Sequence, residues 1–141
     1  MPVMALDVGS KRIGVAVADP SESFALPVAV VERTNLRADL QRIADLAAEY
    51  QAAEIVVGDP IRLSGERGPA AERMDRFVEQ LGKHFAGAIH RVDERMTTAQ
   101  AQKTLIAADV RRSKRKAVVD KMAAALILET FLARKRGAAR S

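Results

Sequence analysis

Apolar residues run almost unbroken through Val3-Met-Ala-Leu-Asp-Val8 and again through Ile13-Gly-Val-Ala-Val-Ala18, with the polar Gly9-Ser10-Lys11-Arg12 between them. Short apolar runs bounded by turn residues predict strands, here linked as a hairpin. Val28 to Glu32, after a loop from Pro20 to Pro27, predicts a third strand, so the chain opens on an antiparallel meander. At Leu36 the period changes. Leu36, Leu40, Ile43, Leu46, Ala47 and Tyr50 fall on one helical face, with Thr34 or Asn35 as the cap. A strand follows at 54–57, then the Gly/Pro-punctuated loop GDPIRLSGERGP. A second helix is expected from about Ala70, its stripe being Ala71, Met74, Phe77, Val78, Leu81 and Phe85. Ala88 to Val92 predicts the last strand. Thr97 and Gln100 form a capping box for a short helix ending near Ala108, and a final helix is expected from about Ala117 to Lys135.

The order is therefore β-β-β-α-β-α-β-α-α. Helices alternating with the later strands imply right-handed parallel crossovers added to the meander. The fold class expected is α/β: a mixed five-stranded sheet with helices on both faces. That order is the one found in ribonuclease H-like domains, although a fold does not by itself fix a function. One domain is expected over residues 1–136, followed by a disordered basic tail at 137–141.

With 141 residues, 48% hydrophobic and 29% charged, the chain is long enough to bury a real core. No apolar run approaches the roughly 20 residues that cross a bilayer, and MPVMALD lacks the basic-then-apolar layout of a signal peptide. A cytoplasmic protein with no membrane partner is expected. The chain has no cysteine, which excludes disulfides and thiolate metal sites. His84 and His90 look isolated and surface-placed, so hard, oxygen-loving cations are the better match to this composition. The net charge is +5, and its excess sits near the C-terminus. RRSKRK at 111–116 holds five basic residues and RKRGAAR at 134–140 holds four more. Blocks of this kind meet phosphate backbones or merely solvate a tail.

In the expected sheet, Asp7 lies toward the end of the first strand, Asp59 ends the fourth, and Asp93 and Glu94 end the fifth. Loops after parallel strands open on one sheet edge, where α/β folds place their sites. Asp120 opens the last helix, and Ala123, Ala124 and Ala125 beyond it would let that helix approach the sheet closely, bringing Asp120 toward Asp7. Carboxylates gathered this way suit Mg²⁺ or Mn²⁺, and two such ions about 4 Å apart support phosphodiester cleavage. Each acid also has a purely structural reading. Asp7 could cap the Ser10-Lys11-Arg12 turn, Asp120 suits the first turn of a helix, and Glu94 could pair with Arg95 or Lys11.

Four stretches can be read as a set: Ala5-Leu-Asp-Val-Gly-Ser-Lys-Arg-Ile-Gly-Val-Ala-Val-Ala-Asp19; Val56-Val-Gly-x-Pro60 with Gly65 and Gly68; Val92-Asp-Glu-Arg-Met-Thr-Thr98 with Ala101; and Asp120-Lys-Met-Ala-Ala-Ala-x-Ile-Leu128. Together they resemble the YqgF family, also called RuvX, from Ala5 to about Leu132. Its members are Holliday-junction-resolvase-like proteins associated with nucleolytic maturation of precursor 16S ribosomal RNA. The resemblance implies a ribonuclease H-like fold and a divalent-metal nuclease, with Asp7, Glu94 and Asp120 at the family's acidic positions and Asp93 as a neighbour. It also aligns Lys11 and Arg12 with a basic pair that holds phosphate. One stretch departs from the pattern. The family reads Gly-Leu-Pro before a polar loop, whereas this chain has Gly58-Asp-Pro-Ile-Arg-Leu-Ser-Gly65, adding Asp59 as an extra candidate ligand and Arg62 as a cation. Arg95, Arg111, Arg112, Lys114, Arg115 and Lys116 complete the candidate nucleic-acid contacts.

The leading expectation is a nuclease acting on RNA, with branched or single-stranded DNA as further substrates. A Holliday-junction resolvase and a non-catalytic nucleic-acid-binding module are the alternatives, and a homodimer stays open. An actin-like or sugar-kinase ATPase also begins a phosphate strand with Asp-x-Gly, but it needs two lobes, and Gly9-Ser-Lys-Arg-Ile-Gly14 lacks the Lys-Ser/Thr ending of a P-loop. Four Phe and one Tyr leave little for base stacking, so recognition by shape and backbone is expected.

Overall fold

The computed structural model describes residues 2–19, 25–59, 68–93 and 122–135, and at 59, 70 and 93 the backbone alone. Within them the strand and helix periods hold. β1 (Val3–Val8), β2 (Arg12–Ala18) and β3 (Ala25–Glu32) form the meander, followed by α1 (Leu36–Glu49), β4 (Glu54–Asp59), α2 (Pro69–Leu81) and β5 (Ala88–Asp93). A C-terminal helix is described over 122–135. The expected helix at 97–108, the start of the last helix near 117 and the tail at 137–141 lie outside the described residues.

The five strands make one sheet in the order β3-β2-β1-β4-β5. β1 pairs antiparallel with β2 and parallel with β4, and β5 adds parallel to β4. The third strand begins at Ala25, earlier than the sequence pattern suggests, and Pro27 lies inside it opposite Ala16. A residue without an N–H is tolerated there because β3 is an edge strand and its register shifts between Val15 and Ala16.

Strand alternation divides the core in two. Met4, Leu6, Ile55 and Val57 pack with Leu40 and Ile43 of α1 and with Met74, Phe77 and Leu81 of α2. Val3, Ala5, Ala16 and Val56 pack on the opposite face with Ala124, Ala125, Ile127, Leu128 and Leu132 of the C-terminal helix. Helices thus cover both faces. Alanines from both sides lie in this second interface, Ala5, Ala16 and Ala18 of the sheet and Ala124 and Ala125 of the helix. Each fully buried Leu or Ile contributes about 1.5–3 kcal/mol to this packing.

Local chemistry sets the helix ends. Asn35 is extended and its side chain accepts from the Ala38 N–H at 2.9 Å, capping α1. α1 closes with Gln51 N–H donating to Ala48 O at 3.2 Å and Ala52 N–H to Ala47 O at 2.8 Å. This is a Schellman turn, with Gln51 left-handed at φ 54°.

Candidate active site

Asp7 is the fifth residue of β1, 9% exposed, with the strand parity of Val3 and Ala5 on the face covered by the C-terminal helix. Its antiparallel partner on β2 is Gly14. On β4 the parallel register ends with Leu6 opposite Val57, and one further step along both strands reaches Asp7 and Gly58. Glycine therefore stands beside Asp7 on both neighbouring strands. No side chain from those two positions crowds the carboxylate.

The C-terminal helix runs away from the Asp7 edge of the sheet, with its far end at the other. Lys135 Nζ lies 3.3 Å from Glu54 Oε2 at the start of β4, and Phe131 lies against His90 near the start of β5, ring centroids 4.7 Å apart. The end of the helix is thereby fixed at the amino-terminal edge of the parallel strands. Its described length of roughly 20 Å, at about 1.5 Å per residue, matches the roughly 17 Å of β4 at about 3.3 Å per residue. The beginning of the helix, at 122, consequently faces the carboxyl edge where Asp7 sits. Asp59 and Asp93 end β4 and β5 in register with one another at that edge.

The β1–β2 turn is rigidly built. Gly9 N–H donates to Arg12 O at 2.8 Å, and a β-carbon at Gly9 would stand 2.8 Å from that same oxygen, so only glycine fits. Arg33 pins the turn from the side: its Nη1 donates to Gly9 O at 2.9 Å and its backbone N–H to Lys11 O at 2.9 Å. Arg33 Nε in turn donates to Asp39 at 3.2 Å, and the Thr34 N–H donates to the other oxygen of Asp39 at 3.0 Å. Lys11 is exposed at the tip, and Arg12 is half-buried opposite Glu32. Arg33 and Asp39 do not stand out in the sequence, because a tie between a turn and a helix start leaves no periodic signal.

Of the acids expected from sequence, Asp7 is described in full, and Asp59 and Asp93 through their backbone. Glu94 and Asp120 lie outside the described residues, as do Arg62, Arg95, Arg111, Arg112, Lys114, Arg115 and Lys116. Among the described residues no group of three or more His, Asp or Glu gathers as metal ligands. His90 is not isolated, as its lone position in the sequence suggests: its Nε2 lies 3.0 Å from Glu54 Oε1. His84 is exposed, with Nδ1 3.2 Å from Gln80 O on its own helix.

A mixed sheet of this order, with helices on both faces, is the ribonuclease H-like fold of the resolvases. Thermus thermophilus RuvC in complex with a Holliday junction matches it with a TM-score of 0.60 at 16% identity, over 96% of each chain. Fowlpox virus resolvase with Holliday junction DNA matches with a TM-score of 0.56 at 11% identity, over 95% of this chain and 98% of that one. The family model of RuvX, described as Holliday junction resolvase, matches residues 1–134, and the chain belongs to that family. A Thermoanaerobacter pseudethanolicus protein is 44% identical over 94% of this chain and 96% of its own. One from Heliobacterium modesticaldum is 46% identical over 94% and 89%. Both carry the name "Putative pre-16S rRNA nuclease". Among the described residues no helix is long and apolar enough to cross a membrane.

Proposed function

We propose that this chain is a divalent-metal-dependent nuclease that hydrolyses phosphodiester bonds in structured RNA during maturation of precursor 16S ribosomal RNA in the cytoplasm. The observation that carries the reading is Asp7: a buried carboxylate between two glycines, at the sheet edge toward which the C-terminal helix begins. The name shared by the relatives supports the substrate class. Asp7, Glu94 and Asp120 are assigned as ligands of one or two Mg²⁺ or Mn²⁺ ions, since hard carboxylate oxygens without a thiolate suit those cations. Bound ions of this kind supply water activation and neutralise charge at the leaving oxygen. The chain's own part is to hold the strand: Lys11 and Arg12, on the turn that Arg33 pins, set a phosphate beside Asp7. Asp59 and Asp93, which end β4 and β5 in register with one another, are further candidate ligands.

A panel of structured rRNA precursor, single-stranded RNA and a four-way DNA junction, each with Mg²⁺, Mn²⁺ and EDTA, tests the reading. Cleavage of the precursor, lost in EDTA, is expected. Preferential cutting of the junction would move the assignment to a resolvase, the activity in the family's description. Binding that ignores EDTA, without any cleavage, would leave only a nucleic-acid-binding module.

A further inference from the structure

On the sheet face covered by α1 and α2, a cleft of about 690 Å³ opens between the β1–β2 turn and α2. Val8 and Phe77 line it, and Leu36, 41% exposed, forms an apolar rim. Arg33, Arg73 and Arg76 border it against one acid among the described lining residues, Glu79. The Arg33 guanidinium lies over the Phe77 ring, Cζ 5.7 Å from its centroid, and is fixed there by its bonds to Gly9 O and Asp39. A guanidinium plane immobilised beside apolar walls offers a face on which a nucleobase stacks. Arg73 and Arg76, three residues apart on α2 and both exposed, present charge on one side of the opening. The volume lies within the range on the order of 300–1,000 Å³ usual for small-ligand sites.

Position gives the cleft its meaning. Val8 follows Asp7 directly in β1, so the cleft begins where the candidate active site ends, around the rim of the sheet. We propose that it holds one unpaired nucleotide of the RNA strand flanking the bond to be cut. The base lies against Leu36 and the Arg33–Phe77 pair, and its phosphate lies toward Arg73 and Arg76. A base within an A-form duplex cannot present its face this way, so the cleft selects unpaired substrate beside the cut. The inference rests on the nuclease reading for what the nucleotide flanks, but its binding test does not need cleavage.

The test uses the full chain carrying Asp7→Asn and a short fluorescein-labelled single-stranded RNA, read by anisotropy at several salt concentrations, with a duplex RNA of equal length as the second probe. Arg73→Gln combined with Arg76→Gln should flatten the log–log salt slope by about 0.7 for each phosphate no longer neutralised. Leu36→Glu places a carboxylate in an exposed first helical turn, where it suits the helix dipole. It should weaken single-strand binding about tenfold, the scale of one base stack, and leave duplex binding unchanged. Parent-like single-strand affinity in both variants overturns the cleft, and so does an equal loss on the duplex. If the cleft variants bind like the parent while wild-type cleavage remains metal-dependent, only this inference falls. If single-strand binding is lost as expected but no metal supports cleavage, the nuclease reading falls and the cleft stands.

Discussion

Two acids are buried among the described residues, Asp7 and Asp39, and their surroundings ask different things of them. Asp39 is answered locally by Arg33 and the Thr34 N–H, so its work is structural. Asp39→Ala should cost roughly 1–3 kcal/mol, the usual penalty for leaving buried partners unsatisfied, visible as a lower midpoint in urea. Asp7→Asn keeps the side-chain volume and removes the charge. It should leave the urea midpoint near the parent's and abolish Mn²⁺-supported cleavage of rRNA precursor; wild-type cleavage by the purified variant would remove Asp7 from the site. This contrast is half legible in the sequence. A carboxylate inside an apolar strand is conspicuous, whereas Asp39 looks like any acid in a first helical turn until the fold brings Arg33 and the Gly9 carbonyl beside it.

Between elements, the cluster of Glu54, His90 and Lys135 joins β4, β5 and the C-terminal helix. Burial disfavours the charged Glu54 carboxylate, but hydrogen bonds and positive charge from His90 and Lys135 together outweigh it and hold its pKa below the ordinary 4.5. A carboxylate lowered in the folded state stabilises fully above its unfolded value, and that contribution disappears as pH falls through the lower folded value. Glu54→Gln should therefore destabilise near neutral pH and flatten the acid limb of stability below about pH 4.5. An unchanged acid limb in urea titrations would show that the cluster contributes nothing. Partners 36 and 81 residues away in sequence leave no local pattern, which is why His90 looks isolated there. The end of α1 is a second element-level case. Gln51 occupies the left-handed position of a Schellman turn where glycine fits without strain, so Gln51→Gly should stabilise by roughly 0.5–1 kcal/mol and raise the melting temperature. β3 shows the opposite limit of pattern reading: Pro27 signals a loop, yet an edge strand has no need of its N–H.

At the scale of the molecule, period and punctuation are enough to place five strands along the chain and to expect a mixed sheet. Buried elements carry their geometry in their apolar spacing, and the small residues at 123–125 point to a closely packed helix. Charge carries no such period, so the basic excess must be tested by its effect on binding. RRSKRK lies outside the described residues, but it ends four residues before Asp120, and the helix described from 122 begins toward the carboxyl edge. The expectation under test is that these cations meet phosphates of the bound strand. Replacing Arg112, Lys114 and Arg115 with glutamine should weaken binding uniformly across RNA sequences, since phosphate contacts carry no sequence information. It should also flatten the log–log salt dependence by about 0.7–0.9 for each phosphate that these cations neutralise, while Mn²⁺ affinity measured by calorimetry stays the same. A segment that only solvates the chain predicts a slope equal to the parent's. Titrating the cleavage-inactive Asp7→Asn chain, with and without the three substitutions, against one RNA at several salt concentrations separates the two, because cleavage cannot then distort the binding curve.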